Sequence, residues 1–151
     1  MEDHFFVFAV SVARLNKLVQ KLKTRGMALL DMKAAHTMCM YHLMGAREGL
    51  TFSELVQGCD LDQALVSRVL SQLTEKGMVR KDGLSGKYNA RYCLTEQGTA
   101  VARQIAVWVS RVQERANVGI DPEDLKVFYR VLRRLLANFE AMVKQPETLF
   151  Q

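Results

Sequence analysis

Apolar residues recur every three to four positions from the start of the chain. Over residues 3–23, Phe5, Phe8, Val12, Leu15, Leu18, Val19 and Leu22 fall on one helical face. Phe6, Ala9, Val10 and Ala13 add a second apolar side to the first half. A helix apolar on two sides has to be covered on two sides, which predicts a partner chain. Asp31 is expected to cap a second helix ending near Gly45. Thr51 and Glu54, ahead of Leu55 and Val56, spell a capping box and so a short third helix. Asp62 is expected to cap a fourth helix that runs to about Lys76, with Gly77 as its left-handed C-terminal residue. Residues 78–81 and 90–94 read as two strands joined by a long turn-rich tip.

Thr95 is expected to cap a fifth helix with the stripe Val101, Ile105, Trp108, Val109, Val112 and Ala116, broken over 117–120. Asp121 then caps a sixth, with Pro122 in its first turn and Glu123 and Asp124 facing its positive end. Leu125, Phe128, Leu132, Leu135, Leu136, Phe139 and Met142 make its stripe. The expected fold class is mainly α: a winged helix-turn-helix with a two-stranded wing and long N- and C-terminal dimerisation helices. A single winged-helix domain would occupy 1–146, with a DNA-binding lobe at about 50–95 and dimerisation helices at about 3–23 and 95–143. The last five residues, 147–151, resemble the remnant of a viral 3C-type protease site and are set aside from fold reasoning.

Function is expected to sit on the fourth helix. Stepping 100° per residue from Val66 places Val69, Leu70 and Leu73 on the core side. Ala64, Ser67, Arg68, Ser71 and Glu75 fall opposite, on a face that is small, polar and once basic. Small residues let a helix sink into a major groove, and Ser and Arg then meet phosphates and base edges. Gln63, in the first turn, also reaches a base. Between Gln63 and Arg91 the chain carries six cations (Arg68, Lys76, Arg80, Lys81, Lys87, Arg91) against two anions. Phosphate contact needs cations concentrated in this way. The expected DNA-binding residues are Gln63, Ala64, Ser67, Arg68, Ser71, Lys81, Lys87 and Arg91.

Composition narrows the classes. With 49% apolar residues the chain buries a core without staples, and a formal charge of +5 permits an acidic partner. Cys39, Cys59 and Cys93 form no even disulfide framework and read as reduced thiols. The apolar run over 5–10 is too short to span a bilayer, so a soluble, cytoplasmic protein is expected. There is no Gly-rich phosphate loop, nucleophile elbow or paired metal motif, so neither an enzyme nor a cofactor is expected. His36, Cys39 and His42 share a helical face with spacing zinc would accept, but the interleaved Met38, Met40 and Met44 favour core packing.

From Leu30 to Val101 the chain resembles the multiple-antibiotic-resistance regulator (MarR) family. The resemblance rests on LTFSEL at 50–55, VSRVLSQLTEKGMVR at 66–80 and LTEQG at 94–98. It implies a triangular homodimer with winged helix-turn-helix lobes on a palindromic operator, often released by a small phenolic or oxidant signal. It places recognition on Ser67 and Arg68 and dimerisation on the first and last helices. The family's wing commonly carries Asp-x-Arg seven to nine residues before the threonine matching Thr95. Gly86, Lys87 and Tyr88 stand there, leaving Lys87 or Arg91 to substitute.

A sequence-specific transcription regulator, acting as a homodimeric repressor on double-stranded DNA, follows from these readings. A small, partly aromatic ligand is expected in a pocket lined by His36, Met40 and Trp108. Two alternatives stay open: a winged helix used only for protein–protein contact, and a redox-sensing regulator using Cys39 or Cys59. Cys59, in the turn before the recognition helix, is expected to be the more exposed thiol.

Overall fold

The computed structural model describes residues 3–83 and 90–150. In chain order it contains α1 (His4–Ala28), α2 (His36–Met44), β1 (Leu50–Thr51), α3 (Phe52–Cys59), α4 (Gln63–Glu75), β2 (Val79–Asp82), β3 (Arg91–Leu94), α5 (Glu96–Ala116) and α6 (Pro122–Lys144), with a 3-10 turn over Pro146–Phe150. Backbone contacts divide the chain into two compact units, Met1–Arg111 and Val112–Gln151.

Asp3 caps α1, its carboxylate accepting the Phe6 N–H at 3.1 Å. The helix continues beyond residue 23 to Ala28 and ends in a Schellman motif. The Asp31 N–H donates to the Ala28 carbonyl at 3.2 Å and the Met32 N–H to the Met27 carbonyl at 2.9 Å. Asp31 itself has φ 54°, the left-handed conformation this motif requires. The expectation that Asp31 starts the second helix is therefore corrected. A short polar residue suits both a cap and a left-handed turn, and here the buried pair Met27 and Met32 selects the turn. The second helix begins only at His36.

The capping box of α3 is present in both directions. The Glu54 N–H donates to Thr51 Oγ1 at 3.2 Å, and the Thr51 N–H donates to Glu54 Oε2 at 2.8 Å. Asp62 caps α4 by accepting the Leu65 N–H at 2.8 Å. Gly77, at φ 72°, closes α4, and the Met78 N–H returns to the Leu73 carbonyl at 2.9 Å. Thr95 caps α5, accepting the Gly98 N–H at 3.0 Å. Asp121 and Pro122 open α6.

The sheet has three antiparallel strands in the order β1-β3-β2. Leu50 pairs with Tyr92 and Thr51 with Arg91 on one side of β3; Val79 pairs with Leu94 and Lys81 with Tyr92 on the other. The wing is thus one strand richer than the sequence suggests, because two residues before a capping box are too few for an alternation to show.

The core of the first unit gathers Leu55 and Cys59 of α3, Val66, Val69, Leu70 and Leu73 of α4, Cys39, Met40 and Leu43 of α2, and Ala102 and Ile105 of α5. By contrast α1 buries only Met27 of its own residues, and Phe5, Phe6, Val10, Leu15 and Leu18 stay about half or more exposed. In the second unit α6 buries none, and Phe128, Val131 and Leu136 are likewise open. Among the described residues no helix is long and apolar enough to cross a membrane.

Candidate nucleic-acid interface

Helix α4 is held from three directions. At its start Asp62 caps it. In its middle, Gln72 Oε1 meets the ring of His36 at 2.8 Å. The Lys33 backbone N–H donates to His36 Nδ1 at 3.2 Å, so Nδ1 is the acceptor and Nε2–H donates to Gln72. Burial holds the His36 pKa below its ordinary value, against the Gln72 bond and with help from the charges of Lys33 and Lys76. At the far end Lys76 Nζ donates to the Asp31 carbonyl at 3.0 Å and lies 3.3 Å from its carboxylate. The Thr95 hydroxyl adds a 2.6 Å bond to the Gly77 carbonyl.

The face left over is the one the 100° count selects. Gln63, Ala64, Ser67, Arg68 and Ser71 are all exposed, while Val66, Val69, Leu70 and Leu73 are buried. Beside this face a groove of about 480 Å³ runs between α4 and the sheet, lined by Phe52, Ser67, Leu70, Ser71, Thr74, Glu75, Lys81 and Tyr92. Lys81 is exposed on β2, its ammonium 5.7 Å from the centre of the Tyr92 ring. Tyr92 is thereby a residue of this surface that sequence reasoning missed. Its place opposite Lys81 follows from strand register, which the sequence alone leaves open.

The cations are not equivalent. Arg80 is paired with Asp82, at 2.8 Å and 3.0 Å. Arg91 donates to the Gly49 carbonyl at 2.8 Å and lies 3.7 Å from Glu54, so its guanidinium braces β3 against the start of α3. Glu54 is held below the usual carboxylate range by its backbone and side-chain bonds to Thr51. Arg68 and Lys81 point outward, and no ion pair among the described residues holds either. Lys87 lies outside the described residues.

The three expected pocket residues are not brought together. His36 and Met40 are fully buried, His36 bonded at both nitrogens and Met40 filling the core. Trp108 is half-buried and lies against the backbone at Gly26, where an added Cβ would collide with its indole. With Arg103, Gln104, Val107 and Arg111 it lines a separate groove of about 370 Å³.

Cys39 and Cys59 are both buried; Cys59 is the more exposed of the two, as expected, but by only 6% against none. Cys59 ends α3 facing α2, where its S–H donates to Cys39 Sγ at 3.6 Å. The contact with Cys59, and then burial, raise the Cys39 thiol far above its ordinary value, while the contact with Cys39 lowers Cys59. Cys93, on β3, is raised by burial and by the neighbouring Asp82. No group of three or more metal-ligating side chains assembles among the described residues.

Residues 40–83, which span β1, α3, α4 and β2, match the IclR helix-turn-helix domain. Among solved structures, a MarR-family transcriptional regulator from Silicibacter pomeroyi is similar at 24% identity and TM-score 0.70, over 84% of this chain and 86% of that one. A MarR-family transcriptional regulator from Rhodococcus sp. RHA1 is similar at 15% identity and TM-score 0.76, over 89% of this chain and 96% of that one. CouR from Rhodococcus jostii RHA1, solved bound to p-coumaroyl-CoA, is similar at 15% identity and TM-score 0.73, over 85% of this chain and 90% of that one.

Proposed function

We propose that this chain, whose fold is that of solved MarR-family transcriptional regulators, is itself such a regulator: a cytoplasmic, homodimeric repressor that lays α4 in the major groove of a palindromic operator. One observation carries the reading. The exposed face of α4, Gln63, Ala64, Ser67, Arg68 and Ser71, is small and polar with a single cation, on a helix whose other sides are buried or bonded. Arg68 is the residue for base readout, since a guanidinium forks onto guanine. Lys81 is the phosphate contact, and Lys87 a second. Arg91 acts indirectly, by holding the wing.

The test is fluorescence anisotropy on operator selected from random duplexes and on an unselected duplex, each at two salt concentrations. Arg68→Ala should cost roughly 1–3 kcal/mol on operator and flatten discrimination. Lys81→Gln should weaken both duplexes nearly equally and reduce the salt slope by about one ion. Operator binding by Arg68→Ala equal to that of the wild type would overturn the assignment of α4.

The dimer reading is supported by the open apolar faces of α1 and of α6, each needing cover. A ligand reading is supported by the Trp108 groove, where Arg103 and Arg111 flank an indole. Such a site suits an aromatic acid or its acyl thioester, the class to which the ligand of CouR belongs. Titration with aromatic carboxylates and their thioesters, followed by Trp108 fluorescence and DNA release, tests it. Silence in both signals would remove the ligand from the proposal.

A further inference from the structure

We infer that α6 carries a further, sequence-independent contact for the phosphate backbone of duplex DNA, made by Arg130, Arg133 and Arg134 with Lys126 beside them. The function proposed above places DNA on α4 and the wing. This surface lies on another helix, so the two readings can fail separately.

The residues of α6 sort into two faces. Stepping about 100° per residue from Arg130 puts Lys126, Arg133 and Arg134 within about 60° of it. The same count puts Phe128, Leu132, Leu135 and Phe139 within about 40° of the opposite side. A partner laid on the apolar stripe therefore leaves the cations in solvent. From residue 125 to residue 139 the chain has four cations and no acid. The acids of α6 stand toward its ends, Glu123 and Asp124 in the first turn and Glu140 near the last.

The three arginines are exposed, and among the described residues no ion pair holds any of them. Lys126 is paired, to Glu123 at 2.6 Å. Like charges one turn apart repel each other and cost helix stability. Nothing on this face of α6 offsets that cost, whereas a bound anion would. A guanidinium forks onto two phosphate oxygens and gives up its weakly held water readily. Lys126, Arg130 and Arg134 follow one another at about 6 Å along the helix axis, a row that suits a chain of charges better than one small anion. Ala137, one turn beyond Arg133 and Arg134, is small. A depression of about 610 Å³ opens among Arg130, Val131, Arg133, Arg134, Leu135 and Ala137. A bulky polyanion can therefore come close. Duplex DNA is the polyanion that the helix-turn-helix of α3 and α4 brings to the same chain.

The experiment uses the full-length protein and the triple variant Arg130→Gln, Arg133→Gln, Arg134→Gln. Fluorescence anisotropy follows both on selected operator and on an unselected duplex over a series of salt concentrations. The triple variant should lose about two to three ions from the salt slope on both duplexes and bind both about tenfold or more weakly at low salt. The ratio of operator to unselected affinity should stay that of the wild type. Arg130→Gln alone should lose about one ion. The thermal midpoint of the triple variant should equal or exceed that of the wild type, since repulsion is removed, so lost binding is not lost structure. An unchanged salt slope would overturn the inference. So would halving of the wild-type mass in light scattering, which would make the arginines a contact between chains. Binding to phosphatidylglycerol vesicles that needs the three arginines, with DNA binding that does not, would overturn it in favour of a lipid surface. Arg68→Ala in the same series separates the two readings. If it binds operator like the wild type while the triple variant loses its ions, α4 falls and α6 stands; the reverse pattern leaves α4 alone. A wild type that binds no duplex overturns both.

Discussion

Gln72→Leu removes the acceptor of the buried His36 N–H at nearly constant volume. His36 is fully buried and bonded at both nitrogens, so its Nε2–H has no water to turn to. Leaving such a donor unpaired costs about 1–3 kcal/mol. At this chain length each kcal/mol lowers Tm by about 2–4 °C. A second signature is pH dependence. Burial holds the folded pKa of His36 below its ordinary 6.5, and the Gln72 bond opposes that shift. Below pH 6.5 the unfolded chain therefore binds more protons than the folded one. The stability is complete above 6.5 and is lost as pH falls toward the folded value, by at most about 1.4 kcal/mol per pH unit. Gln72→Leu lowers the folded value further, so the sloping window should extend to more acid pH. Paired replacement, His36→Phe with Gln72→Leu, removes donor and acceptor together; it should recover much of the loss and flatten the acid response. Urea unfolding followed by circular dichroism at pH 7.5 and pH 5.5 reads the wild type and both variants. If Gln72→Leu unfolds within about 0.3 kcal/mol of wild type at pH 7.5, the buried bond contributes far less than this reasoning requires.

Gly98→Ala should be worse, because a Cβ there would overlap the Met78 backbone, and the two Thr95 bonds to Met78 and Gly77 keep that backbone in place. A loss of about 3 kcal/mol or more is expected in the same unfolding assay, and a loss under about 1 would mean the segment yields easily. Asp62→Ala deletes the cap of α4 and should cost about 1 kcal/mol, with Asp62→Asn recovering most of it. Light scattering at micromolar concentration should report twice the 17.2 kDa chain mass; the single mass would refute the dimer.

How far the sequence could be read depended on the range of the signal. The caps of α3, α4, α5 and α6 were legible because Thr51, Asp62, Thr95 and Asp121 act on N–H groups two or three residues away. The outward face of α4 was legible from periodicity. Asp31 was misread because its role depends on Met27 and Met32 packing together, which no local rule encodes. His36 with Gln72 and Cys39 with Cys59 are separated by 36 and 20 residues, and only the fold brings them within reach. Arg91 counted as a groove cation in the sequence because charge alone does not show that the Gly49 carbonyl already holds it.

The strand order β1-β3-β2 leaves two open margins, and neither invites another strand. One, β1, is two residues long and turns at once into α3. The other, β2, reads Val79, Arg80, Lys81, Asp82, three charges in four positions. Lone sheet margins recruit strands from neighbouring molecules unless they are short or charged. Copies gathered on one stretch of DNA, as the proposed function has them, would meet that hazard, and the margin is guarded by the same lysine proposed to meet phosphate. Replacing Lys81 by an apolar residue would thus do two things at once: it would weaken DNA contact and make the protein self-associate. Glutamine is for that reason the informative substitution, and colloidal stability belongs beside affinity when the wing is engineered.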